Sequence, residues 1–189
     1  MRSNIWVLLA TGAVILIGAG YVMFSKTQKG PTVSTSTPAA LPVVVENGIQ
    51  KTRMPLTITS SSFQMNGTIP ALFTCDGKNI SPELNFSNIP KETKSLVLIM
   101  EDPDVPKNIR ADGMWNHWIV WNIPPQTTQI GEGKTPPPSS IVGINTSNKR
   151  AYAGPCPPDR EHHYIFTLYA LDSLLSINKD ASKGELLVA

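Results

Sequence analysis

The chain is poor in cysteine, histidine and charge. Two cysteines in 189 residues leave room for at most one disulfide, which excludes a disulfide-dense miniprotein and a zinc ribbon, so one hydrophobic core must hold the fold. With 16% charged residues and a formal net charge of +2, the chain is neither a highly charged disordered tail nor a polybasic nucleic-acid arm. Aromatics amount to 7%. Trp115, Trp118 and Trp121 have no basic stripe beside them, so they read as core or rim residues rather than as a stacking platform, and no nucleic-acid partner is expected. There is no internal repeat, no H-E-x-x-H, no G-x-S-x-G elbow and no glycine-rich phosphate loop. An enzyme is therefore not the expected reading, and neither a cofactor nor a bound metal is implied.

What is present is unevenly spread. Residues 5–24, from Ile5 to Phe24, carry no charge, and as a helix they would extend roughly 30 Å, the thickness of a bilayer's hydrocarbon. Arg2 precedes the run, Trp6 and Tyr21 lie near its ends, and Lys26 and Lys29 follow, as suits a membrane segment. Its uniform apolarity does not follow the amphipathic pattern of a domain-surface helix. Gly18 and Gly20 offer a small-x-small pair to a signal peptidase, but the apolar stretch continues through Phe24. The expectation is a single-pass amino-terminal anchor with an extracytoplasmic domain, the alternative being a cleaved signal and a secreted or periplasmic domain. Residues 25–54, with Pro31, Pro38 and Pro42 among serines and threonines, read as a tether, in which Val43, Val44 and Val45 can form a short strand. A folded domain is expected over residues 55–189.

Within that domain the signals are mostly those of strands: 56–59, 83–86, 96–100, 117–123 and 164–171 are short, apolar and separated by Pro, Gly, Asn or Asp, which predicts a mainly β, sandwich-like fold. Leu96 to Met100 is unbroken, as expected of a strand covered on both faces, whereas Tyr164, Phe166, Leu168 and Ala170 keep period two. Near the end, Ser182 and Glu185 form a capping box. The chain stops at Ala189 after barely two turns, so Leu186, Leu187 and Val188 read as the start of an apolar helix face whose continuation is absent.

The chemistry gathers in three places. Asp102-Pro103-Asp104-Val105-Pro106 follows directly on the apolar run, and its prolines stiffen the loop that carries both carboxylates. The plainer reading of Asp-Pro-Asp is a turn whose side chains bond their own backbone. His117 opens the next strand. His162 and Tyr164, two apart, must share one face of the last long strand while His163 points to the other. Gly154-Pro155-Cys156-Pro157-Pro158 is a rigid stretch able to wall a pocket, in which Gly154 permits a close backbone approach or a positive φ. If Asp102, His117, His162 and Tyr164 converge, the carboxylate orients imidazole N–H groups and the tyrosine adds a donor. The natural guest of such a hollow is an anion.

Phe73-Thr74-Cys75-Asp76-Gly77, Ser81-Pro82-Glu83-Leu84, Asp102-Pro103-Asp104-Val105-Pro106, Asn116-His117-Trp118, Gly154-Pro155-Cys156-Pro157-Pro158 and His162-His163-Tyr164, in this order and spacing, resemble the phosphatidylethanolamine-binding protein family in its bacterial, Raf-kinase-inhibitor-like branch. The resemblance runs from about Leu56 to the end of the chain. It implies a large antiparallel sheet packed on a smaller one, a few peripheral helices, and a pocket for phosphate, phosphorylethanolamine or similar anions. By that resemblance the ligand-binding residues are Asp102, Asp104, Pro106, His117, Gly154, Pro155, His162 and Tyr164. Position 163 departs from the pattern: the family usually carries arginine there, and a histidine puts any salt bridge from that side chain in doubt, so His163 reads as a surface or packing residue. The early end of the chain is the other departure.

The resemblance also brings the motifs of Cys75 and Cys156 toward one region, where a disulfide in an oxidising compartment and two reduced buried thiols stand as alternatives. The partner it implies is a small anionic ligand or a phospholipid headgroup. Two further functions stay open: inhibition of a protease or kinase through protein contacts, as in some relatives, and metal-dependent hydrolysis by the two carboxylates and two histidines.

Overall fold

A computed structural model describes residues 54–189 in full, together with the backbone of three short strands before them. The chain divides into two compact units, one of Met1–Gly12 and Pro55–Ala189 and the other of Ala13–Met54. In the second unit, β2 (Val43–Glu46) and β3 (Ile49–Thr52) pair as an antiparallel hairpin. In the first, β1 (Leu9–Thr11) lies parallel to a strand of the main domain. These three residues fall inside the run expected to be a membrane anchor. The rest of that run, and most of the tether, lie outside the described residues. Among the described residues no helix is long and apolar enough to cross a membrane.

The main domain is built on β6 (Ser95–Asp102), β7 (Trp115–Ile123) and β10 (Ile165–Leu171), which pair antiparallel as β10-β6-β7. β1 extends this sheet at one edge and β9 (Ile141–Val142) at the other. A smaller sheet, in the order β4-β5-β8, comprises β4 (Thr57–Thr59), β5 (Leu84–Ser87) and β8 (Gln129–Ile130).

The apolar run of β6 is covered on both sides because alternate residues enter two cores. Leu96, Leu98 and Met100 join Trp118, Val120, Tyr164, Phe166 and Leu168 against Ile58, Leu84, Phe86 and Ile130 of the small sheet. Val97 and Ile99 turn the other way to meet Ile119, Trp121 and Leu186. Each fully buried large side chain of this kind contributes roughly 1.5–3 kcal/mol, so the β6 run is central to stability.

Helical structure in the described residues is limited to a 3-10 turn, Ala71–Phe73, and α1 (Lys183–Leu187). Ser182 caps α1 with the reciprocal bonds of a capping box to Glu185, the arrangement that satisfies two end donors at once. Leu186 and a Lys183–Glu101 ion pair dock this turn on the second core.

Candidate functional site

At the end of β6 the chain turns sharply, and Asp102 serves two partners. Its Oδ1 accepts the Asp104 backbone N–H at 2.8 Å, which shapes the Asp-Pro-Asp turn. Its Oδ2 meets Nδ1 of His162 at 2.7 Å, across 60 residues of sequence. Asp102 is 3% exposed and His162 not at all, so the pair is a buried one. Nε2 of His162 faces a second carboxylate, Asp159 Oδ1, at 2.9 Å. That bond holds the Asp159 carboxyl below its usual range.

His117, on β7, donates from Nδ1 to the Ala153 carbonyl at 2.6 Å, which leaves Nε2 as the acceptor of a neutral ring. Burial pushes this imidazole below its ordinary value, outweighing the upward pull of the Ala153 carbonyl and of Asp102. The ring stands edge-on to Tyr164, with centroids 5.1 Å apart. Tyr164 is fully buried and its hydroxyl meets no hydrogen-bond partner of ordinary geometry. Burial first, and then the charge of Asp102, push that phenol well above its usual value.

The facing wall is laced to the loop after the 3-10 turn. Gly154 donates its N–H to Asn79 Oδ1 at 2.6 Å, and a Cβ there would lie 2.2 Å from the Phe73 carbonyl oxygen. Close approach, not a positive φ, is therefore what requires glycine at 154. The Pro155 carbonyl accepts from Cys75 N at 3.0 Å, Tyr152 OH donates to the Phe73 carbonyl at 2.8 Å, and Cys75 and Cys156 form a disulfide with Cα atoms 5.4 Å apart.

Together these elements enclose a cavity of about 250 Å³. Of the eight residues expected to bind a ligand, Asp102, His117, Gly154, His162 and Tyr164 line it. Asp104, Pro106 and Pro155 do not. Asp104 instead accepts the His163 backbone N–H at 2.8 Å and meets the His163 ring at 2.5 Å, with the Arg160 guanidinium 3.8 Å away. Burial pushes the Asp104 carboxyl up, but the His163 bonds and Arg160 outweigh it and the net shift is downward. His162, His163 and Tyr164 come just before β10, not on it as the sequence predicts; His162 and Tyr164 are buried, whereas His163, at 44% side-chain exposure, makes the carboxylate contact that the loss of arginine puts in doubt.

Sequence reasoning missed the apolar wall of Val105, Ile109 and Trp115, and also Ser147, Ala153, Cys156 and Pro158 as lining residues. Val105, Trp115, Cys156 and Pro158 lay in or beside motifs already singled out, whereas Ile109 and Ser147 carry no local signal. Among the described residues no three His, Cys, Asp or Glu side chains are grouped so as to hold a metal ion.

The sequence profile described as phosphatidylethanolamine-binding protein matches residues 59–189. A UPF0098 protein of Chlamydia trachomatis is 46% identical over 132 residues, covering 70% of this chain and 87% of that protein. One from Methanothermobacter thermautotrophicus is 42% identical over 138 residues, covering 71% and 88%. Among solved structures, a phosphatidylethanolamine-binding protein homologue of Chlamydia trachomatis superimposes with a TM-score of 0.68 at 46% identity, over 71% of this chain and 86% of that one. YbcL of E. coli, described as a member of the mammalian family, does so with a TM-score of 0.63 at 28% identity, over 70% and 87%. Profile, relatives and fold agree with the motifs around the cavity: the chain belongs to the phosphatidylethanolamine-binding protein family.

Proposed function

We propose that the domain is a binding module, not an enzyme, and that its cavity takes a small oxyanion of the phosphate-monoester kind, free or as a phospholipid headgroup. The observation that carries this reading is the Tyr164 hydroxyl, buried on the wall that also holds His162 and making no hydrogen bond of ordinary geometry, although the Cys156 N–H and the Asp102 carboxylate approach it. A buried donor without an acceptor is costly, and an oxyanion supplies one. His162, oriented by Asp102, offers a second donor, and Val105, Ile109 and Trp115 suit the carbon part of an ester. The cavity volume fits a headgroup and not a whole lipid.

The test is calorimetric titration of inorganic phosphate and of phosphorylethanolamine into the wild type and Tyr164→Phe. Loss of one hydrogen bond to a charged group weakens binding by about tenfold or more. Equal affinity in the two proteins removes the cavity from the reading.

A further inference from the structure

His162 lines the cavity beside Tyr164, yet both its ring nitrogens are occupied by carboxylates. A neutral imidazole donates from one nitrogen only, so with both carboxylates ionised the two bonds together take a ring that carries both protons. The two acceptors are not equivalent. Asp102 is buried, and its second oxygen is committed to the Asp104 N–H, so it cannot leave without exposing a buried charge and undoing a turn. The Asp159 side chain is 47% exposed and sits in a run of bends just three residues before the histidine. The ring it meets is buried, but the carboxylate itself is half in solvent, so it is the acceptor that leaves at the lower cost.

With both carboxylates ionised and one imidazolium between them, the three side chains carry a net negative charge. An incoming oxyanion is therefore opposed as long as Asp159 stays, and it needs the same Nε2–H that Asp159 holds. Release of Asp159 into solvent removes both obstacles at once. The ring keeps its charge partner in Asp102, and His162 and Tyr164 are both lining residues of the cavity.

We propose that Asp159 is an internal competitor for the cavity: its carboxylate occupies His162 Nε2 in the free protein and is displaced by the oxyanion that binds, so that this loop residue sets the affinity for the ligand. The proposal rests on the oxyanion reading of the cavity. No bond is made or broken in the exchange. One hydrogen-bond acceptor replaces another on the same proton.

The probe is inorganic phosphate, titrated at fixed ionic strength into the wild type, Asp159→Ala, Asp159→Asn and Tyr164→Phe, with thermal unfolding of each as a check on folding. Removal of a half-exposed competing carboxylate is expected to tighten phosphate binding by about twofold to fivefold in Asp159→Ala. Asp159→Asn, whose amide oxygen still accepts from Nε2–H but carries no charge, falls between that variant and the wild type. In the wild type, saturating phosphate shifts the Asp159 side-chain carboxyl ¹³C resonance toward that of a solvated aspartate. If Tyr164→Phe binds less tightly than the wild type but both Asp159 variants bind no better than it, the competitor proposal is overturned and the cavity reading stands. If none of the four proteins binds phosphate, both fall.

Discussion

Replacing Tyr164 by phenylalanine is expected to act in opposite directions on folding and on binding. The hydroxyl is buried and makes no hydrogen bond of ordinary geometry, Asp102 and the Cys156 N–H being near it but poorly placed, so the folded state carries a desolvation penalty that the unfolded chain does not. Such a penalty is about 1–3 kcal/mol. The adjoining cavity, about 250 Å³ in volume, has room for water, which moderates the penalty to its lower end, about 1 kcal/mol. Phenylalanine keeps the ring in the core it shares with Phe166 and Trp118 and keeps its edge against His117, so nothing offsets the gain. For a domain of about 135 residues the unfolding entropy near the midpoint is about 0.3 kcal/mol per degree, and a gain of about 1 kcal/mol raises the midpoint by about 3–4 °C. Thermal and urea unfolding of ligand-free protein measure this directly. Destabilisation by 1 kcal/mol or more would refute the reasoning, because it would mean that the hydroxyl is bonded in the fold, with Asp102 as the nearest candidate, and is not held in reserve for a ligand.

Opening the Cys75–Cys156 bridge, which spans 81 residues, is expected to cost about 4–5 kcal/mol through restored freedom of the unfolded chain; urea unfolding of the Cys75→Ser, Cys156→Ser variant checks it, and a loss below 1 kcal/mol contradicts it. The depressed His117 value implies that, as pH falls below the unfolded value of about 6.5, the unfolded chain takes up a proton that the folded one refuses. Stability therefore drops with acid in that window by at most about 1.4 kcal/mol per pH unit, and His117→Gln is expected to flatten the slope measured by unfolding between about pH 7 and pH 5.

The strands that were legible in the sequence are those whose length lets a pattern show. β6 stands out because both of its faces are covered, and β10 because its inward residues keep period two. β8 and β9, with two residues each, are too short for any periodicity, and only the edges they pair with make them strands. The same limit of range applies to the site. His162 and Asp102 are 60 residues apart, and no local property of either segment announces the pairing. It was reached through the order and spacing of motifs, which also brought in Asp104, Pro106 and Pro155. These residues surround the cavity's loops without lining it. Asp159 carries no local signal, because Asp159-Arg160-Glu161 has the composition of any solvated loop.

In the Asp-Pro-Asp segment a turn held by its own side chain and a carboxylate aimed into a pocket are not alternatives. Asp102 does both, because a carboxylate has two oxygens with separate lone pairs: Oδ1 fixes the turn through Asp104 N–H while Oδ2 holds His162. The two roles are also coupled. The bond that shapes the turn fixes the plane of the carboxyl group, and that plane sets where Oδ2, and hence the imidazole, points. A turn residue without a second acceptor oxygen would leave the ring with its half-exposed partner Asp159 alone, and His162 would lose the buried anchor at Nδ1 on which any exchange of partners at Nε2 depends.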